Sequence, residues 1–217
     1  MYELQRRPIK LRSANWSVAA ASWLVEAGIT PNQVSIMSTV FAVVGAASLV
    51  ATRAQTSYLG TLSELVLAAF FIQLRLLCNM LDGLMAVEYG KATKSGELYN
   101  EIPDRISDTV LLVGAGYAAS CGELSITLGW LAACLSLITA YVRAFGARYM
   151  TAQDFQGPMA KPHRMFALTV GSLAAALQYA WLGNKSVLLA TLLIICAGTA
   201  YTAIRRTSHL KSEMEKK

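Results

Sequence analysis

The chain has 217 residues, 55% hydrophobic and 15% charged, with a formal net charge of +6 and a mean hydropathy of +0.44. Soluble domains carry roughly 25% charged residues, so this composition excludes an ordinary soluble protein. The length suits one domain, 1–217, and the basic residues gather beside apolar segments rather than along one polar face, which favours anionic lipid headgroups over nucleic acid.

In chain order, residues 1–31 read as a cytoplasmic arm. The opening MYELQRRPIKLRSANW has no short apolar core followed by a small-residue cleavage site, so no cleavable signal peptide is expected. Ser13 to Ala27 reads as an amphipathic helix with Trp16 and Trp23 on one face and Arg6, Arg7, Lys10 and Arg12 just upstream. That pattern suits a helix lying in the membrane interface; the alternative is a plain linker.

Six apolar segments follow, at Gln33–Ala51, Leu62–Met85, Tyr99–Ala119, Ser125–Phe145, Arg164–Leu182 and Lys185–Ile204. Crossing a ~30 Å hydrocarbon core takes about 20 helical residues. None of the six shows strand alternation, and only helices or closed barrels can span lipid. The expected fold is therefore an all-α integral membrane protein, with six transmembrane helices in 32–204, an N-terminal interfacial helix and a basic cytoplasmic tail at 205–217. The small-residue pairs Gly45/Ala46 and Gly114/Gly116 permit close helix packing, within the bundle or between subunits. Cys78, Cys121, Cys134 and Cys196 show no metal-finger spacing, and at least three of them lie in apolar runs as small hydrophobes.

Lysine and arginine set the orientation. The N-terminal arm, the loop with Lys91 and Lys94, the loop with Arg148 and Lys161, and the tail with Arg205, Arg206, Lys211, Lys216 and Lys217 fall on one side; the opposite loops hold Arg53 and Lys185. Both termini are expected in the cytoplasm, in a multi-pass protein of a bacterial inner membrane.

The stretch Asn79 to Asp108 puts acidic and amide side chains into this apolar context, near the cytoplasmic side. Carboxylates at membrane depth are costly and mark a polar site, a metal or an ion path. Asn79 and Asp82 share one helical face; Asn100, Asp104 and Asp108 share another. Gly83 and Gly96 remove side chains where a ligand approaches the backbone. Oxygen ligands on two helix ends suit a hard cation such as Mg²⁺ or Mn²⁺, which would orient and neutralise a diphosphate. Arg75, one turn before Asn79, is read as supporting the site, with snorkelling to the interface as the alternative. Asp108 either deepens the site or pairs with Arg105. Glu101 replaces a missing carboxylate only if the helix starts irregularly.

The spacing Asn79-x2-Asp82-Gly83-x2-Ala86-Val87-x8-Gly96-x3-Asn100-x3-Asp104 resembles the signature of the CDP-alcohol phosphotransferases, D-x2-D-G-x2-A-R-x8-G-x3-D-x3-D. Every interval matches. The first and third aspartates are Asn79 and Asn100 here, and the arginine is Val87. The resemblance implies that Asp82, Asp104, Asn79 and Asn100 form the metal set and that Asp104 deprotonates an acceptor hydroxyl. It also implies a nucleotide and diphosphate site at Asn32, Gly83, Ala86, Gly96 and Arg75. Thr30-Pro31-Asn32 is similar to the family's TPN opening and also reads as a helix start. Tyr141-Val142-Arg143-Ala144 is similar to its YxRA element. With Lys161 and Arg164, Arg143 would face an anionic acceptor; the alternative for the last two is topological anchoring.

The implied reaction is phosphatidyl transfer from CDP-diacylglycerol to a small polar, phosphorylated or plain, alcohol, with release of CMP. The alternatives are a silent or altered member that binds CDP-lipid, a headgroup phosphotransferase using a CDP-amino-alcohol, and, outside the family, an ion-coupled carrier. The family's habit implies a homodimer. Each lost aspartate removes a negative charge that would hold the second cation.

Overall fold

The computed structural model describes residues 14–150 and 154–216. Arg6, Arg7, Lys10, Arg12 and Lys217 lie outside that range. Among the described residues the chain is all helical: α1 Asn15–Glu26, α2 Pro31–Ala51, α3 Tyr58–Glu88, α4 Gly96–Ala118, α5 Gly122–Gly146, α6 Lys161–Leu182 and α7 Val187–Glu215.

Local chemistry sets several ends. The Thr30 side chain accepts from the Gln33 amide and the Gln33 side chain accepts from the Thr30 amide, a capping box, with Pro31 as the first helical residue. Ser57 caps α3 through the Gly60 amide. Gly183 closes α6 in the left-handed region at φ +67°, where a side chain would be strained.

The helices close into a ring in which α2 packs on α3, α3 on α6, α6 on α7, α7 on α5, α5 on α4 and α4 back on α2; α4 also reaches across to α6 and α7, while α1 lies outside against α3. The ring's interior is built from small and medium side chains such as Ala42, Ala46, Ala68, Leu111 and Ala115. Backbones come close enough that a Cβ on Gly114 would sit 3.2 Å from Ala46 Cα, and one on Gly116 3.0 Å from Gly129 Cα. The small-residue positions therefore serve packing inside the bundle. Large apolar side chains point outward instead, among them Met37, Val40 and Val44 on α2 and Phe166, Val170 and Leu177 on α6. Such a surface suits lipid rather than water.

Five helices, α2, α3, α5, α6 and α7, are long and apolar enough to cross a membrane. The 23 residues of α4 reach ~34 Å at 1.5 Å each, but Glu97, Glu101, Asp104, Arg105 and Asp108 occupy its first half. In α1, Ser17 and Ala21 are buried while Trp16 and Trp23 are exposed; Tyr89 Oη ties it to α3 through Val18 O at 3.1 Å. Beyond residue 204, where the sequence suggests a tail, α7 continues to Glu215. Arg206 is buried there, donating to Gln156 O at 2.8 Å and Thr139 O at 3.1 Å, and Leu210 packs on Gly146.

Candidate functional site

The alternating helices bring the start of α2, the end of α3, the start of α4, the end of α5 and the start of α6 to one end of the ring. A cavity of about 700 Å³ opens there, lined on its polar side by Asn32, Asn79, Asp82, Asn100, Asp104 and Lys161. Gly83, Ala86, Gly96, Arg143 and Arg164 also line it. Phe70, Leu74 and Leu77 extend its wall along α3, away from the polar groups. The opposite end of the ring carries Lys185, whose Nζ donates to Thr52 O at 2.9 Å, and Arg53, stacked over Tyr117.

Arg75 joins α3 to α4. It is fully buried and does not snorkel; Nη2 donates to Asp108 Oδ1 at 2.6 Å and to Asp104 Oδ1 at 3.3 Å. Asp108 receives Arg164 Nη2 on its other oxygen at 2.9 Å. The predicted Arg105 partner for Asp108 is thus corrected. Spacing along one helix favours the near neighbour, whereas folding supplies two guanidinium groups from α3 and α6. Arg105 turns instead to Glu101 at 3.4 Å and lies 3.8 Å from Asp104 Oδ2.

Asp104 is the more heavily bonded carboxylate. Asn79 Nδ2 donates to its Oδ1 and Lys161 Nζ to its Oδ2. Three buried carboxylates, Asp82, Asp104 and Asp108, therefore share this end with Arg75, Lys161 and Arg164, and Arg105 stands at its edge. The charges are shared unevenly. Asp82, 4% exposed, accepts from Ser35 Oγ at 2.5 Å through Oδ2. Its Oδ1 is buried without a hydrogen-bond partner, as is Asn79 Oδ1. Among the described residues no cationic side chain forms an ion pair with Asp82.

These orphaned oxygens bear on whether a metal fits. An unpaired buried carboxylate oxygen is costly, and a hard cation would satisfy it. Hard cations such as Mg²⁺ are held by one or two carboxylates together with substrate phosphates. Asp82, with Asn79 Oδ1 on the same helical face, meets that description. Among the described residues no three His, Cys, Asp or Glu side chains converge as an all-protein metal cage; positions 79 and 100 carry asparagine. Asn100 is exposed on the cavity wall.

On the far wall, Arg143 pairs with Glu101 and lies 5.9 Å from the Phe155 ring. Glu101 is thus engaged by Arg143 and Arg105, in a regular helix, rather than turned toward the Asn100 position. Arg164 is 2% exposed and also donates to Met159 O at 2.9 Å. Asn32 Nδ2 donates to Thr93 Oγ1 at 3.3 Å, and a Cβ on Gly96 would crowd the same Thr93 oxygen at 3.3 Å. Sequence reasoning missed Ser35. Its signal was present: it stands three residues after Asn32, on the same face of α2.

The sequence profile of the CDP-alcohol phosphatidyltransferases matches residues 28–205. A phosphatidylinositol phosphate synthase of Mycolicibacterium smegmatis is 27% identical over 151 residues, 68% of this chain; the match spans 63% of that relative, less than two thirds of its length. Among solved structures, the phosphatidylinositol phosphate synthase of Mycobacterium tuberculosis with CDP-DAG bound superposes with a TM-score of 0.73, at 22% identity, covering 91% of this chain and 94% of the other. The same enzyme in complex with manganese and citrate gives a TM-score of 0.71 at 21% identity, covering 89% and 88%.

Proposed function

The chain belongs to the CDP-alcohol phosphatidyltransferase family, and we propose that it transfers a phosphatidyl group from CDP-diacylglycerol to the hydroxyl of a small polar alcohol. One observation carries this reading. Asp82, with an unpartnered oxygen, and Asp104, held by cations, line one cavity from the two helices that bear the family's spaced signature. The solved relatives, one with CDP-DAG bound and one with manganese and citrate, support that donor and a divalent cation.

In this reading the diphosphate lies against Asp82, with Asn32, Gly83, Ala86 and Gly96 forming the wall beside the nucleotide. The acyl chains follow Phe70, Leu74 and Leu77 toward lipid. Mg²⁺ or Mn²⁺ held at Asp82, Asn79 and the diphosphate would neutralise charge and make the phosphorus more electrophilic. Asp104 takes the proton of the acceptor hydroxyl. A carboxylate oxygen has two lone-pair directions, so Oδ2 can accept from the hydroxyl beside Lys161. The new O–P bond forms as the P–O bond to CMP breaks, and CMP leaves with that electron pair. Lys161 and Arg143 give the acceptor side a positive wall, which favours a phosphorylated alcohol. Arg164 acts through Asp108 as a positioning residue.

The same reading makes α4 the sixth membrane crossing. Its charged residues all precede Thr109, Asp104 and Asp108 buried and Glu97 exposed, so they lie at the cavity end while Thr109–Ala118 crosses the apolar part. The excess of Lys and Arg at that end, against Arg53 and Lys185 at the other, supports a cytoplasmic opening; in this reading α1 runs along the inner surface of a bacterial cytoplasmic membrane.

Purified protein in lipid nanodiscs, given CDP-diacylglycerol, Mn²⁺ and a panel of alcohols and their phosphates, should yield a new phospholipid by mass spectrometry with one acceptor class. CDP-diacylglycerol binding without any product would favour a silent member, the reading that the two asparagines support. Product from diacylglycerol and a CDP-amino-alcohol would reverse the donor.

A further inference from the structure

Asn79 and Asp104 face one another across α3 and α4. With a carboxylate at both positions, two negative groups would meet and a cation would be needed between them. Here the amide donates an N–H to Asp104 Oδ1, Lys161 Nζ occupies Oδ2, and Arg75 Nη2 adds a third contact at 3.3 Å. Both Asp104 oxygens are thus neutralised by the chain itself. Turning the Asn79 amide over would set Oδ1 against the carboxylate, so its N–H donates and its oxygen is left free, as found. Across the cavity, Asp82 forms no ion pair among the described residues and has a buried oxygen without a hydrogen-bond partner there.

We infer that this chain holds a single divalent cation, at Asp82, and that the Lys161 ammonium, aided by the Asn79 amide, stands permanently where a second cation would otherwise sit beside Asp104. The inference deepens the transferase reading and takes its cation site from it. A fixed ammonium supplies one positive charge that cannot be removed by a chelator. It also ties the acceptor side of the cavity to a protein group rather than to metal supply. The asparagine at 79 and the lysine are then one device: the amide removes the carboxylate clash, and the lysine replaces the counter-charge.

The test counts bound Mn²⁺ per chain by electron paramagnetic resonance on purified protein in detergent, with Mn²⁺ alone and with CDP added. The wild type should bind one Mn²⁺, tightened by CDP but unchanged in number, and Asp82→Asn should bind none. N79D/N100D/K161M should bind two. Two ions in the wild type, or none, would overturn the inference. A count of one in the folded triple variant would also overturn it, because the Asp104 side would then not be a displaced cation seat. If the triple variant does not fold, the wild-type and Asp82→Asn counts still decide. Failure of product formation alongside one bound Mn²⁺ would sink the transferase reading and leave this one standing.

Discussion

Asp82 and Asp104 line the same cavity, yet one lacks what the other has in excess. Asp104 and its neighbour Asp108 are bound by Arg75, Lys161 and Arg164, drawn from α3 and α6. Asp82 keeps one serine hydroxyl and one unsatisfied oxygen. Buried ion pairs often contribute little net stability, but breaking one leaves an uncompensated charge. The α4 carboxylates therefore hold the helices in place, whereas Asp82 is kept at a cost that a bound cation would offset. Structure is concentrated on one side of the cavity and ligand demand on the other.

The largest effect should come from removing the base. Asp104→Asn keeps shape and one acceptor oxygen while removing the basic carboxylate, and turnover should fall by about 10²–10⁴, the usual worth of a positioned general base, as measured by product formation; full activity would remove Asp104 from the chemistry. Next, Arg75→Met should lower stability by about 3–5 kcal/mol, the typical cost of breaking a buried pair, read from thermal unfolding in detergent. A change under about 1 kcal/mol would show that the α4 carboxylates do not depend on it. Asp82→Asn should behave oppositely, leaving metal-free stability unchanged or raised while abolishing Mn²⁺ binding. A clear loss of metal-free stability would erase the contrast between the two carboxylates. Ser35→Ala should have the smallest consequence, weakening Mn²⁺ affinity by about 10-fold, as loss of a hydrogen bond to a ligating carboxylate usually does. An unchanged affinity would mean that the 2.5 Å contact does not orient Asp82.

Much of this arrangement was legible because membrane helices announce themselves as apolar runs. The helix start at Thr30-Pro31 was readable from capping chemistry alone, and the two-helix spacing from Asn79 to Asp104 picked out residues that line one cavity. The end of α7 was not, because Arg205 and Arg206 close the apolar run although the helix continues. What carries it on is tertiary: Arg206 finds the carbonyls of Gln156 and Thr139. Asp108 shows the same limit. Its nearest basic neighbour in sequence is Arg105, but its partners lie 33 and 56 positions away. Periodicity reports which residues share a face of one helix; which cation arrives from another helix depends on how the ring closes.

Acceptor-dependent CMP release is the most direct measurement of phosphatidyl transfer by this chain. Wild-type protein incubated with CDP-diacylglycerol and Mn²⁺ should release CMP only when a hydroxyl acceptor is added, and chelation should stop it. CDP-diacylglycerol bound at the cavity with no CMP released for any acceptor, or CMP released equally with and without one, would contradict phosphatidyl transfer.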